Sequence, residues 1–248
     1  NELKDHRNLI NELFQNTVGV NLAQSVKNQD KALAALGLYA KDAGASNLNE
    51  DKELIRNSCF YLSLAASYLH GIGALSPSSD CGEFWTQVKH ETVTNDNNNT
   101  SQSEELSLDE ALIGKTALDL KRTIEAAVVH AHPEWAAEGK VGEEVQAFSD
   151  FLVYVLDSPT TLADWAVAIF DTNSGFVDIY KGKDYPENNT TQNTNLDEWA
   201  RSNTLTLRYA LGHYQPLIPK HGNPRPALNH LLAALDKAGV LYVITDGS

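Results

Sequence analysis

The most informative segment of the sequence is Arg56-Asn57-Ser58-Cys59-Phe60-Tyr61, which continues as LSLAASYL over residues 62–69. Asn and Ser are good helix-starting residues, and almost no polar side chain interrupts the run that follows. This pattern predicts a helix that is buried nearly all round, with Cys59 in its first turn. A thiolate is favoured at such a position, because unpaired N–H groups and the helix dipole stabilise negative charge. Cys59 is therefore a candidate nucleophile.

The residues before this helix predict a turn. The backbone N–H groups of Arg56, Asn57 and Ser58 would point at a developing oxyanion near the cysteine. A second interpretation stays open, in which Cys59 is an inert buried cysteine, because free Cys is among the most buried residue types. A competing nucleophile is Cys81 in Ser79-Asp80-Cys81-Gly82, which also begins a predicted helix but lacks a continuous apolar run to fix its position.

The partner that a thiol nucleophile needs is a histidine on a rigid element. His213 follows the alternating segment TLTLRY at residues 204–209, which predicts a strand, and the aromatic Tyr214 comes directly after it. His130 and His132 form an H-x-H pair, but without a second pair of ligands nearby they are more typical of a helix end than of a metal site. We expect no metal and no cofactor.

The periodicity of the chain predicts helices first and strands later, which is an α+β class. Residues 1–50 predict two or three amphipathic helices in an extension or lobe, and residues 51–248 predict the catalytic domain. Further helices are predicted at 79–88, 106–131, 145–156, 162–170 and 224–238, and strands at 176–180, 205–209, 217–218 and 240–244, the last one buried.

The composition narrows the function classes. The 248 residues, 42% of them hydrophobic, suffice for one substantial core. A formal charge of -14 disfavours binding to nucleic acid or to anionic membranes. The two cysteines fit a reducing compartment, although a Cys59–Cys81 bridge in a secreted protein is the alternative. With no apolar run of roughly 20 residues and no signal pattern, we expect a cytoplasmic protein, and the lack of any Met suggests a fragment of a longer chain.

Five segments in order resemble the OTU (ovarian tumour-type) deubiquitinases over about residues 50 to 220. They are NSCFYLSLA (57–65), ALDLKRTIEAAV (117–128), LADWAVAIF (162–170), FVDIY (176–180) and LTLRYALGHYQPLIP (205–219). The resemblance implies a papain-like OTU fold, which is a small mixed β-sheet flanked by helices, here with extra N-terminal helices.

The resemblance also implies a chemistry. Cys59 would attack the carbonyl of the ubiquitin C-terminal glycine, and His213 would take the thiol proton and return it to the leaving lysine amine. Tyr214 and Trp165 would line the narrow channel for the Gly-Gly tail.

Two departures from the family pattern concern the catalytic groups. The usual Asp-Gly-Asn turn before the cysteine is Arg56-Asn57-Ser58 here, so the acid that this turn sometimes supplies is absent. The position two residues after the histidine, commonly Asn or Asp, is Gln215, whose amide oxygen could fix the tautomer of the imidazole. The site is expected to use Gln215 as its third member or to work as a dyad.

The leading hypothesis is therefore a cysteine isopeptidase that removes ubiquitin, polyubiquitin or a ubiquitin-like modifier from lysine side chains. One alternative is a catalytically degenerate ubiquitin-binding module, and another is a thiol protease of other specificity, such as a polyprotein protease. A family-like core with an unusual cysteine turn suggests a divergent bacterial effector or viral protein that acts in the host cytosol. No nucleic-acid or membrane partner is expected.

Overall fold

The computed structural model describes most of the chain. The described residues are 21–75, 108–142, 144–158, 162–186, 203–220, 223 and 225–247, with residues 5, 8–10 and 12 near the N-terminus. The predicted helix at 79–88, with Cys81, lies outside them.

The described helices flank a mixed sheet. They are α1 (Leu22–Leu36), α2 (Cys59–Gly71), α3 (Leu108–Ala131), α4 (Glu134–Ala137), a 3₁₀ helix (Ser149–Val155) and α5 (Leu228–Ala238). The strands are β1 (Leu38–Ala40), β2 (Asn47–Leu48), β3 (Leu54–Ile55), β4 (Ala166–Asp171), β5 (Val177–Lys181), β6 (Thr204–Ala210), β7 (His213–Pro219) and β8 (Tyr242–Asp246). The α+β class is confirmed.

The sheet that carries the candidate site has the strand order β1-β7-β6-β4-β5-β8, while β2 and β3 form a separate hairpin. β6 and β7 pair antiparallel through a tight hairpin, and β4 runs parallel to β6. One face of the sheet packs with α2 and α3 in the larger apolar core, and the other face packs with α1 and α5.

The sequence predicted α2 and α3 correctly. Nearly every residue of α2 is buried, as expected for a helix without a polar stripe. It lies between α3 and the strands β6 and β7. Because the helix is held on several sides, its first residue, Cys59, has a fixed position.

The helix predicted at 162–170 is wrong, because residues 166–171 form β4. All six residues of β4 are buried, so both faces of the strand are covered. Such a strand reads as a continuous apolar run, which does not show the period of two that identifies a half-exposed strand.

Three other predictions differ in detail. Residues 149–155 form a 3₁₀ helix rather than a helix over 145–156, and α5 begins at Leu228 rather than at residue 224. The last strand, β8, runs from Tyr242 to Asp246 at the sheet edge and is partly exposed, so the prediction of a buried strand is wrong. The strands predicted at 176–180 and 205–209, and the hairpin partner at 217–218, are confirmed.

The section predicted as a helical extension joins the main sheet. Residues 38–40 form its edge strand β1, which pairs antiparallel with β7, and α1 packs against α5. The structure thus connects residues 21–50 with the element that carries His213. Among the described helices, none combines the length and the apolar character that crossing a membrane requires.

Candidate active site

Cys59 is the first residue of α2, as the sequence predicted, and it is buried. The helix beneath it packs against β7, the strand that begins at His213. The N–H groups in the first turn of a helix have no intrahelical partner, so they can stabilise negative charge beside this thiol.

His213 is the first residue of β7, and its side chain lies next to that of Cys59, whose hydrogen bonding is the largest cause of the raised imidazole pKa. The nucleophile and the base that the sequence singled out are therefore brought together from positions far apart in the chain. The imidazole is partly buried, so one side of the pair remains accessible.

The other side of the imidazole meets a carboxylate that sequence reasoning missed. His213 Nε2 lies 3.0 Å from Asp42 Oδ1. The same oxygen accepts a hydrogen bond from the Gly44 N–H at 2.8 Å, which orients the carboxylate. Since an ionised carboxylate only accepts hydrogen bonds, Nε2 carries the proton and Nδ1 is left to face Cys59.

Strand pairing explains why Asp42 reaches His213. β1 pairs with β7 in a register that sets Ala40 opposite Leu217, and the Lys41 N–H donates to the Pro216 carbonyl one step further on. Continuing this register places Asp42 opposite Gln215, with His213 as its diagonal neighbour. Diagonal neighbours in antiparallel strands are within reach of longer side chains.

The two hydrogen bonds change the titration of the imidazole. The hydrogen bond with Cys59, followed by the one with Asp42, raises the pKa of His213 to about 9, although burial acts in the opposite direction. Both partners stabilise the imidazolium because both present negative charge to it. At neutral pH the arrangement therefore favours a charged histidine.

Gln215 is not the partner of the histidine nitrogen. It lies inside β7, half-buried, opposite Arg208 of β6. The position at His213 Nε2 that the sequence assigned to Gln215 is taken by Asp42. The prediction of Gln215 as the third member is corrected accordingly.

The chain bends before the cysteine, and the N–H of Ser58 does not have the role that the sequence predicts for it. Asn57 has a φ of 57°, a left-handed conformation that Asn tolerates, and its Nδ2 donates to the Glu144 carbonyl at 2.9 Å. The Ser58 N–H donates to the Ala45 carbonyl at 2.8 Å, so it holds the turn and is not free for an oxyanion. The N–H of Cys59 itself, at the helix start, is the better donor.

Tyr214 is a core residue. It is 2% exposed, its ring packs edge-on against Phe60 with centroids 5.0 Å apart, and its hydroxyl accepts a hydrogen bond from the Ser149 N–H at 3.1 Å. The structure places it behind His213 as packing rather than along an open channel, which corrects the role predicted for it.

Trp165 lies far from the cysteine. Its neighbour Ala166 pairs with Thr204 at the start of β6, whereas His213 pairs with Ala210 at the opposite end. A strand of this length spans roughly 20 Å, so this distance separates the two ends of β6.

Trp165 instead packs against Tyr68 and Arg225. The centroids of the two rings are 5.1 Å apart, and the guanidinium of Arg225 lies 5.3 Å from the centroid of the indole. The predicted channel role of Trp165 is therefore wrong.

The H-x-H pair lies at the end of α3. His132 Nδ1 lies 3.0 Å from Glu134 Oε1 and its ring stacks on Trp135. In the described part of the chain, no group of three or more His, Cys, Asp or Glu residues could hold a metal ion.

Comparisons with protein-family models, with curated proteins and with solved structures gave no significant match to this chain.

Proposed function

We propose that this chain is a cysteine hydrolase in which Cys59, His213 and Asp42 form the catalytic triad. The observation that carries the proposal is that the His213 imidazole lies next to the Cys59 side chain and 3.0 Å from the Asp42 carboxylate. A nucleophile, a base in contact with it and a third group that orients the base together match the requirements of covalent acyl transfer.

The chemistry follows from the charges of these groups. The Cys59 thiolate attacks a carbonyl carbon, and the resulting oxyanion accepts a hydrogen bond from the N–H at the start of α2. The imidazolium of His213 donates its proton to the leaving amine as the carbon–nitrogen bond breaks, which leaves a thioester on Cys59. Neutral His213 then takes a proton from water, the hydroxide attacks the thioester, and the proton returns as the thiol group leaves. Asp42 holds the ring in place throughout.

The substrate we propose is the C-terminal glycine of ubiquitin, or of a ubiquitin-like modifier, joined to a lysine side chain, with a papain-like OTU fold as the framework. The ordered resemblance of five segments to OTU deubiquitinases supports this choice. The arrangement of a cysteine at the head of an apolar helix and a histidine on an adjacent strand agrees with it. The net charge of -14 suits a substrate tail that carries arginines. A cytosolic site of action, in a host cell for an effector or viral protein, belongs to the same proposal.

The position of Asp42 bears on the degenerate alternative. That alternative is based on the missing Asp-Gly-Asn turn before the cysteine, and with it the acid that this turn sometimes supplies. A carboxylate supplied by the segment after β1 fills the same role, which supports an active enzyme over a binding module.

The experiment is to incubate the protein with a ubiquitin whose C-terminus carries a thiol-reactive group, and in parallel with a small alkylating agent. The variants are Cys59→Ala, His213→Ala and Asp42→Asn, with Cys81→Ala as the matched cysteine control. An adduct that survives Cys81→Ala and disappears with Cys59→Ala supports the proposal.

The two reagents separate the alternatives. Rapid alkylation of Cys59 without a ubiquitin adduct would retain the hydrolase and reject ubiquitin as the substrate, which favours another thiol protease. Inertness of Cys59 to both reagents would reject the enzyme altogether.

A further inference from the structure

One leucine beside the candidate site is almost fully exposed. Leu211 and Gly212 are the two residues of the turn that joins β6 to β7, between the paired residues Ala210 and His213. The side chain of Leu211 is 94% exposed. It is also two residues from the histidine of the triad.

The backbone conformation makes this leucine more unusual. Leu211 has a φ of 52° and Gly212 a φ of 78°, the combination that defines a type I′ hairpin turn. Asn-Gly and Asp-Gly are the preferred sequences for this turn, because Asn, Asp and Gly tolerate positive φ. Leucine is disfavoured at this position because the position requires a positive φ and because it exposes the apolar side chain to water. The stability of the fold therefore does not explain why a leucine is present.

The turn presents Leu211 in a defined place. The Gln146 Nε2 donates to the Gly212 carbonyl at 3.0 Å, which ties the hairpin tip to the loop before the 3₁₀ helix. The space at the neighbouring Gly212 is open, because a Cβ added there would meet no heavy atom within 4 Å. An apolar side chain is thus held beside the general base with its surface free for a partner.

We infer that Leu211 is a specificity-determining residue that binds an apolar surface of the protein substrate next to the scissile bond. This inference rests on the proposed function. Leu211 is two residues from His213, a distance of about 7 Å along a strand. A small acyl group bound to Cys59 does not reach the hairpin tip, whereas a folded protein attached to the scissile bond does. The surface that binds Leu211 therefore belongs to the folded part of the substrate rather than to its extended tail.

The test compares a ubiquitin-based substrate with a short peptide that ends in Gly-Gly and carries the same leaving group. The decisive variant is Leu211→Asn, because Asn is preferred in this turn and is expected to keep or raise the melting temperature. The KM for the ubiquitin substrate is expected to rise about tenfold, as loss of one buried leucine contact predicts. The kcat, the turnover of the peptide and the alkylation rate of Cys59 are expected to stay unchanged.

Two further variants serve as controls. Leu211→Met keeps an apolar side chain and is expected to keep the KM of the parent chain. Ile72→Asn makes the same kind of change at a residue that is 53% exposed at the far end of α2, and it is expected to leave KM unchanged.

The outcomes separate this inference from the proposed function. An active parent chain with the same KM in Leu211→Asn overturns the inference and leaves the hydrolase intact. A loss of peptide turnover and alkylation in Leu211→Asn also overturns it, because the residue would then act on His213 and not on the substrate. A parent chain inert to the peptide, the ubiquitin substrate and the alkylating agent rejects the proposed function and this inference with it.

Discussion

His213 Nε2 and Asp42 Oδ1 are 3.0 Å apart although 171 residues separate them in the sequence. The contact is made because β1 and β7 are neighbours in the sheet and Asp42 is the second residue after β1. It gives the imidazole a fixed tautomer and leaves its other nitrogen for Cys59. The segment before the cysteine helix therefore supplies one residue of the candidate site, Asp42, and the strand β7 supplies another, His213.

The first prediction concerns the third member of the triad. Asp42→Asn is expected to lower kcat/KM by about 100-fold or more, because an amide can present its N–H to the imidazole and fix the wrong tautomer. Gln215→Ala is the matched control, since the sequence singled out this residue for the same role, and it is expected to retain activity within about threefold, the size of a small surface effect. If steady-state kinetics showed a large loss for Gln215→Ala and a small one for Asp42→Asn, Gln215 and not Asp42 would be the partner of His213.

The second prediction concerns the dependence of activity on pH. The pKa of His213 is raised to about 9, first by the hydrogen bond with Cys59 and then by that with Asp42. In the proposed mechanism the protonated imidazole donates to the leaving amine, so kcat/KM is expected to fall as the pH rises through about 9. In Asp42→Asn the fall is expected at lower pH. An alkaline limb at the same pH in both proteins would show that Asp42 does not act on the charge of His213.

The same pKa predicts a change in stability. The folded chain holds a proton on His213 that the unfolded chain releases at about pH 6.5, the ordinary histidine value. The stabilisation from the imidazolium is therefore fully present below about pH 6.5 and is lost as the pH rises through about 9. Chemical denaturation of the parent chain and of His213→Gln should give free energies of unfolding that converge over this range. A constant difference between the two proteins would contradict the raised pKa.

Two residues of the candidate site have a signal in the local sequence pattern. An apolar run after two helix-starting residues indicates Cys59 as a nucleophile candidate. An alternating strand segment directly before His213 indicates the histidine. Asp42 was missed because its role depends on the pairing of β1 with β7, which has no signature within either segment. The only local signal was the Asp-Ala-Gly triplet at residues 42–44, in which the aspartate accepts from the Gly44 N–H.

The errors in the channel residues have a physical cause of the same kind. The sequence pattern predicts Trp165 within a helix over residues 162–170, whereas in the structure it directly precedes the buried strand β4. The direction of β4 puts it at the end of the sheet opposite His213. Burial on both faces removed the alternation that would have identified the strand.

The fourth prediction concerns Tyr214. In Tyr214→Phe the Ser149 N–H loses its buried partner, so the free energy of unfolding is expected to fall by about 1–3 kcal/mol. The KM for a ubiquitin substrate is expected to stay unchanged, because the side chain is in the core. A raised KM with unchanged stability would instead place Tyr214 in a substrate channel.

The last prediction concerns Trp165, which packs between Tyr68 and the buried guanidinium of Arg225. Trp165→Ala is expected to lower the free energy of unfolding by about 3–5 kcal/mol, because it removes a large buried ring and leaves a cavity. The matched control is Trp135→Ala, at a tryptophan that is only partly buried, where the loss should be smaller. Under conditions where both variants are folded, the alkylation rate of Cys59 is expected to equal that of the parent chain, because Trp165 lies at the other end of the sheet. A specific loss of ubiquitin turnover in a fully folded Trp165→Ala protein would contradict this, and would mean that the substrate extends along the sheet to that end.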